Sequence, residues 1–222
     1  MSVLLDNIQA FLFDMDGVVV DSSEIIHQIY TRWAIRHGFD IDVISGNLQG
    51  GRTIDFLSKM DLAPESVVAH SQELRNEEVR TAHLVRALPG AHDLLAMLPP
   101  NRWAIVTSSV RDVAEARITQ AGLPVPRVLV SADDVDTGKP SPKPYELAAF
   151  QLGARTEHCV VFEDSINGVL SANAALMRCV GVGEALTSAQ PKQVCGTVFA
   201  LGEVRVTQQH NGYRIFLDPD VR

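Results

Sequence analysis

Phe11-Leu12-Phe13-Asp14-Met15-Asp16-Gly17-Val18-Val19-Val20-Asp21 is the stretch that decides the fold. Ile8 to Phe13 reads as one short buried strand, apolar, aromatic and bounded by polar residues. The run then delivers two carboxylates two residues apart, followed at once by a glycine. In an open α/β sheet, ligands bind just beyond the carboxyl ends of strands. Two acids in that position are costly unless a cation or a proton shares the site. One can attack as a nucleophile while the other moves protons. Taken alone, the same letters also spell a strand followed by an ordinary Asp-Gly turn.

Three later signals weigh against the ordinary turn. Trp103-Ala104-Ile105-Val106-Thr107-Ser108-Ser109 is a second apolar strand, and it ends in hydroxyls. Arg111 and Asp112 then open a helical stretch to Ala121, and hydroxyls with backbone N–H groups at a helix start suit an anion. Gly138-Lys139-Pro140-Ser141-Pro142-Lys143-Pro144 is a proline-stiffened loop with two cations, ahead of a helical stretch from Tyr145 to Leu152. Cys159-Val160-Val161-Phe162-Glu163-Asp164-Ser165 is a third strand ending in two acids. Hydroxyls, lysine and paired acids in this order describe a phosphate and Mg²⁺ site.

In these motifs, their order and their approximate spacing, the chain resembles the haloacid-dehalogenase-like superfamily of phosphotransferases, over nearly its whole length. Trp103–Ser108, Ala121-Gly122-Leu123-Pro124, Gly138–Tyr145 and Cys159–Ala172 are most similar to small bacterial sugar-phosphate phosphatases with a helical cap inserted after the first strand. The resemblance implies that Asp14 is the nucleophile that takes the phosphoryl group and Asp16 the general acid and base. It implies that Thr107 or Ser108 holds the phosphate oxygens, and that Lys139, directly before the first proline, neutralises charge between Asp14 and the phosphate. Lys143 then reads as solvated surface. Asp14, the backbone carbonyl of Asp16, and Asp164 would hold Mg²⁺. Glu163 binds the metal directly, binds it through water, or orients Lys139. Gly50-Gly51-Arg52 looks like a cap loop, with Arg52 either meeting the phosphate or a sugar hydroxyl, or standing as an ordinary surface arginine. Ser165 reads as a helix cap.

The expected fold is an α/β, doubly wound, Rossmann-like parallel sheet with an inserted helical cap and a C-terminal β-hairpin. Residues 1–20 and 87–222 form the expected core and 21–86 the cap. About 65 residues separate the first strand from Leu88-Pro89-Gly90, far more than one crossover needs. Ser22 or Ser23 opens a helix that Gly38 would stop, and Thr53–Met60 and Pro64–Val85 also read as helical. Crossings to the core are expected near Val20–Ser22 and Arg86–Pro89. Beyond Pro89, helices Ala91–Leu98, Val110–Ala121, Pro144–Leu152 and Ile166–Ala175 alternate with strands Trp103–Val106, Val128–Val130, Cys159–Phe162 and Arg178–Val182. Glu203–Gln209 and Tyr213–Leu217 flank Asn211-Gly212, a hairpin turn signal. His27, His37, His70 and His83 share no metal spacing and read as structural or surface residues. Tyr30 and Trp33 read as cap core.

Composition bounds the partners. The 222 residues are 46% hydrophobic and 21% charged, ordinary for a soluble globular chain. A net charge of −8 with no Lys/Arg stripe argues against nucleic acid. No apolar run approaches the ~20 residues of a membrane span, and Met1 to Asp6 is too short and acidic for a signal peptide. Three cysteines, Cys159, Cys179 and Cys195, lack ligand spacing, and a cytoplasmic, reducing setting is the simplest. The sequence does not set the oligomeric state, and a monomer is compatible with it.

The leading function is thus a Mg²⁺-dependent phosphatase of small sugar or polyol phosphates. A phosphosugar mutase of the β-phosphoglucomutase type is the alternative. Such mutases carry Thr-Asp-Thr and then a histidine where this chain has Val20, Asp21, Ser22 and Ile26, which favours hydrolysis. A non-catalytic phosphosugar binder would have lost Asp14, Asp16 or Asp164. A dehalogenase needs neither Asp16 nor a metal at Asp164.

Overall fold

The computed structural model describes residues 3–41, 50–189 and 192–218. Met1 and Ser2, and residues 42–49 of the inserted segment, lie outside them. The apolar run around Phe11 does not form one strand. Val3–Ile8 (β1) belongs to a small antiparallel sheet, and Ala10–Phe13 (β2) to the main one. The break falls at Gln9, just after Asn7 makes β1 irregular with a left-handed backbone (φ 58°) and its N–H on the Asp6 carboxylate at 2.8 Å. Asparagine tolerates that region better than most residues. The chain then re-enters pairing as Gln9 N–H donates to the His158 carbonyl at 2.7 Å.

The main sheet also holds Trp103–Val106 (β5), Leu129–Val130 (β6), Cys159–Glu163 (β7), Arg178–Val182 (β8) and Gly196–Val198 (β9). Its order is β6-β5-β2-β7-β8-β9 and every pairing is parallel. The central strands are apolar until their ends because helices cover both faces. Phe11, Phe13, Ile105 and Phe162 point into one core, and Leu12, Ala104, Val106 and Val161 into the other. Phe13 stacks on Phe162 with centroids 5.0 Å apart.

Strand Val204–Gln209 (β10) pairs with Gly212–Leu217 (β11) across the expected Asn211-Gly212 turn, and β1 joins β11. Tyr213 and Ile215 of β11 bury themselves in the core beneath Phe11. The short edge strand β9 and a helix at Glu184–Ala189 escape a sequence reading. Three residues of Gly-Thr-Val carry too little pattern for one, and the other is barely two turns.

Among the described residues the inserted helices are Ser23–His37 (α1), Thr53–Leu57 (α2) and Pro64–Thr81 (α3). Gly38 closes α1 in a left-handed C-cap. The second helix stops before Met60, in turns closed by the N–H groups of Lys59 and Met60, and α3 gives way to a 3-10 turn at Ala82–Leu84. These helices share their own apolar cluster, with Ile29, Trp33, Phe56 and Leu74 at its centre. Both crossings to the sheet lie side by side. Val20–Asp21 (β3) pairs antiparallel with Arg86–Ala87 (β4), making a two-stranded ribbon beneath the helical insert. Helices Ala91–Met97 (α4), Arg111–Gln120 (α5), Lys143–Leu152 (α6) and Ile166–Ala174 (α7) complete the core layers. No described helix is long and apolar enough to cross a membrane.

Candidate active site

Asp14 is the first residue beyond β2, and its N–H still bonds the Phe162 carbonyl at 2.9 Å. The carboxylate is thereby fixed at the sheet's C-terminal edge, between the ends of β5 and β7. Three successive N–H groups, from Val18 to Val20, then converge on the Met15 carbonyl and fold the chain back. Gly17 turns with φ +81°, a conformation glycine adopts without a Cβ penalty. Asp16 thus stands beside Asp14.

Lys139 is almost wholly buried. Its ammonium donates to Asp14 Oδ1 at 2.5 Å, Glu163 Oε1 at 2.6 Å and the Val106 carbonyl at 3.1 Å. Lys143, its rival in the sequence, opens α6 at the exposed surface. Glu163 Oε1 also accepts the Tyr145 hydroxyl at 2.6 Å, while Oε2 accepts the N–H and hydroxyl of Ser165 at 3.2 and 3.1 Å. This geometry ties Glu163 directly to Lys139. Ser165 caps α7 by accepting the Gly168 N–H.

Asp14, Glu163 and Asp164 bring carboxylate oxygens within 4.8 Å of one another. Burial pushes the Asp14 carboxyl up to about 8, with Lys139 opposing and Glu163 and Asp16 adding to the rise. Burial also drives Asp164 well above the carboxylate range, reinforced by Asp14 and Glu163. Lys139 is pulled the other way: burial disfavours its charge, but Asp14 and Glu163 together hold its pKa above the ordinary lysine value. Among the described residues none donates a hydrogen bond to the Asp164 carboxylate. An all-oxygen cluster with surplus negative charge and unspent lone pairs fits a hard divalent cation such as Mg²⁺.

Thr107 and Ser108 follow β5. Thr107 is buried, and its hydroxyl accepts the Ser109 N–H at 3.1 Å. Ser108 donates its hydroxyl to the Gly50 carbonyl of the insert at 2.9 Å. That approach is so close that a side chain at Gly50 would collide with Ser165.

A cavity of about 400 Å³ opens over these groups. Asp14, Asp16, Thr107, Ser108 and Asp164 form its floor. Ile26, His27, Tyr30, Arg52 and Phe56 of the insert face them. Lys139 and Glu163 lie behind this lining. His27, exposed, and Tyr30, part of the insert's apolar cluster, thus also line the cavity, while Trp33 is core, stacked on Phe39. Arg52 reaches the cavity, but its guanidinium is occupied. It forks onto Asp55 with two bonds of 2.8 Å and reaches the carbonyls of Val135 and Asp136 at 2.9 and 3.0 Å. It ties the insert to the core in this arrangement and makes no approach to Asp14.

A match to the family model for haloacid dehalogenase-like hydrolases extends over residues 8–175. The chain belongs to that family. The hydrolase is 37% identical over 209 residues to hexitol phosphatase A of Escherichia coli (strain K12), an alignment covering 92% of this chain and 96% of that protein. It is 31% identical over 189 residues to glycerol-1-phosphate phosphohydrolase 2 of Saccharomyces cerevisiae, covering 79% and 74%. Its fold is shared by a β-phosphoglucomutase from Clostridium difficile, with a TM-score of 0.78, 23% identity and coverage of 89% and 93%.

The hydrolase also has polar groups at the site that a motif reading passes over. Arg117 of α5 is buried and donates to Asp16 Oδ1 at 2.8 Å and to Glu78 of α3 at 3.1 Å. Ser22 and Ser109 donate to Asp16 at 2.5 and 3.2 Å. The one sequence signal for Arg117 is its register: it follows Val113 by four and Ala114 by three, on the buried face of α5.

Proposed function

We propose that this hydrolase is a Mg²⁺-dependent phosphatase of small sugar or polyol phosphates, acting through an aspartyl-phosphate on Asp14. The observation that carries the reading is the Lys139–Asp14 contact of 2.5 Å at the floor of the cavity, with Asp16 and Asp164 beside it. A buried carboxylate held by a lysine at a strand end is aimed, and its neighbours leave room for an anion above it.

Asp14 and Asp164, with the Asp16 backbone carbonyl, would hold the metal. When bound, Mg²⁺ supplies the positive charge that lets a carboxylate and a phosphate approach each other. Asp14 attacks phosphorus, and the bond from phosphorus to the sugar oxygen breaks. Asp16 gives that oxygen its proton, so a neutral alcohol leaves. Thr107, and the backbone N–H at Ser108, receive the phosphate oxygens. Asp16 then takes a proton from water, whose oxygen attacks phosphorus and releases inorganic phosphate and Asp14. Lys139 holds Asp14 in line throughout and Glu163 holds Lys139.

Release to water rather than to a second sugar is supported by Val20, which is buried and brings no hydroxyl, and by Ile26 in the cavity wall. The relatives named for hexitol and glycerol phosphates support a small polyol or sugar ester. Residues 21–86 act as the cap, and the β3–β4 ribbon is its attachment. Buried Cys159 and Cys179 suit a reducing cytoplasm.

The test is phosphate release from hexitol, hexose and glycerol phosphates, with Mg²⁺ and with EDTA. Hydrolysis of at least one polyol or sugar ester, abolished by EDTA and by Asp14→Asn, is expected. Undiminished turnover without metal, or labelled phosphate trapped on a residue other than Asp14, would overturn it.

A further inference from the structure

We propose that Arg117 is a positioning residue for Asp16, and that Glu78 of the cap holds Arg117 in place, so that the seating of the cap and the placement of the acid–base carboxylate are linked. This inference rests on the reading of Asp16 as the group that protonates the leaving oxygen.

The geometry is that of a strap. Arg117 is the largest charged side chain fully buried in the described structure. One end of its guanidinium fork meets Asp16 Oδ1 and the Ser109 hydroxyl, at 2.8 and 3.1 Å. The other end meets Glu78 Oε2 at 3.1 Å. Glu78 is buried too, and its other oxygen accepts the Tyr30 hydroxyl at 3.1 Å; Tyr30 in turn bonds Thr53 at 2.6 Å. Each described cap helix thus contributes one group: Tyr30 from α1, Thr53 from α2 and Glu78 from α3. All of them converge on a core arginine whose far end touches the carboxylate at the reaction centre.

A buried guanidinium with one anion is poorly compensated, and with two it is stable. Burial works against the Arg117 charge, but Asp16 and Glu78 more than offset it, so the cation persists. Its planar, rigid fork fixes both carboxylates at once, which a lysine cannot do. Any shift of α3 relative to α5 therefore moves Arg117 or strips it of one partner, and Asp16 follows. Placement matters because a proton must pass to a leaving oxygen over a short, directed path. The surface of the same seam carries Arg75–Asp112 at 2.7 Å, which joins α3 to α5 without touching Asp16. That pair is a built-in control.

The experiment reads the single-turnover rate of alcohol release, the step before Asp16 acts on water, for a hexitol or sugar phosphate and for p-nitrophenyl phosphate, whose leaving group needs little protonation. Asp16→Asn sets the pattern of lost acid catalysis. Arg117→Lys and Glu78→Gln should both lower that rate for the sugar or polyol ester by about 10- to 100-fold, with the half-saturating concentration and the rate of p-nitrophenol release changed by less than about threefold. Arg75→Ala should leave the ratio of the two activities as it is in the parent. In an Asp16→Asn background, Arg117→Lys should add no more than about twofold. Equal losses on both esters in Arg117→Lys and Glu78→Gln, or a fully additive double variant, would overturn the strap while leaving Asp16 as the acid. An Asp16→Asn variant with no leaving-group preference would overturn the acid–base reading and the strap together.

Discussion

The carboxylate of Asp164 rests directly against the α-carbon of Gly17: a β-carbon at position 17 would fall 2.0 Å from Asp164 Oδ2. The glycine is thus required twice, for its positive φ and for the space that the second strand-end acid occupies. Gly17→Ala should cost about 1–3 kcal/mol of stability through backbone strain. It should also push Asp164 out of the cluster with Asp14. The expected result is a folded protein whose thermal midpoint no longer rises on adding Mg²⁺. A retained Mg²⁺ response would remove Asp164 from the proposed metal site.

Proton and metal should compete for the same acids. A carboxyl whose pKa is higher in the folded chain than in the unfolded one stabilises the fold while it is protonated. That contribution is complete below the unfolded value near 4 and is lost as pH rises through the folded value. For Asp14 the folded value is about 8, and Asp164 is raised in the same direction. Metal-free protein should therefore lose stability steadily from weakly acidic to weakly alkaline pH. Mg²⁺, which needs both carboxylates ionised, should stabilise more as pH rises over that range. Thermal melts with Mg²⁺ and with EDTA across the range test both slopes. A metal-induced shift that is flat with pH would place the bound ion elsewhere.

Glu163 is the neighbouring acid with a different expected outcome. Its oxygens already serve Lys139, Tyr145 and Ser165, so it should act on the lysine rather than on the metal. Glu163→Gln keeps the shape and removes one of the two anions around a buried ammonium. Breaking such a pair costs about 3–5 kcal/mol in a fully buried setting. Turnover and thermal midpoint should both fall, while the Mg²⁺ concentration giving half-maximal activity moves less than about threefold. A much larger Mg²⁺ requirement would make Glu163 a metal ligand.

What the sequence makes legible here follows from how each residue does its work. Asp14, Thr107, Lys139 and Asp164 sit at strand or loop ends, where apolar runs stop and a polar letter is conspicuous. Trp103–Val106, and Cys179–Val182 within β8, are legible because burial on both faces leaves runs without a polar side chain. Ile8–Phe13 misleads because it is apolar but for Gln9, yet the chain leaves one sheet after Ile8 and enters the other at Ala10. Arg117 and Glu78 are hidden because their partners lie 39 residues apart and only the packing of α3 on α5 joins them. Each betrays itself only as a charged residue at an inward position of its helix, Glu78 four beyond buried Leu74. Arg52 is conspicuous beside two glycines, yet its partners, Asp55 and two carbonyls of a distant loop, are set by tertiary contact.

Those partners change what Arg52 should do. A side chain that contacted the sugar would matter for sugar esters and little for a flat aryl ester. Arg52 instead forks onto Asp55 and reaches the Val135 and Asp136 carbonyls, with its stem against Gly138. It fastens the cap loop to the core, next to the Ser108–Gly50 bond. Losing it removes charge-assisted hydrogen bonds worth about 1.5–3 kcal/mol in total effect on the closed arrangement. Arg52→Ala should therefore raise KM by about 10- to 150-fold for sugar phosphates and for p-nitrophenyl phosphate alike, because both need the cap seated. Arg52→Lys should rescue little, since one ammonium cannot reproduce the fork. Steady-state kinetics on the two ester types decide the matter. A loss confined to sugar esters would mean that Arg52 leaves Asp55 and the core carbonyls to bind the substrate itself.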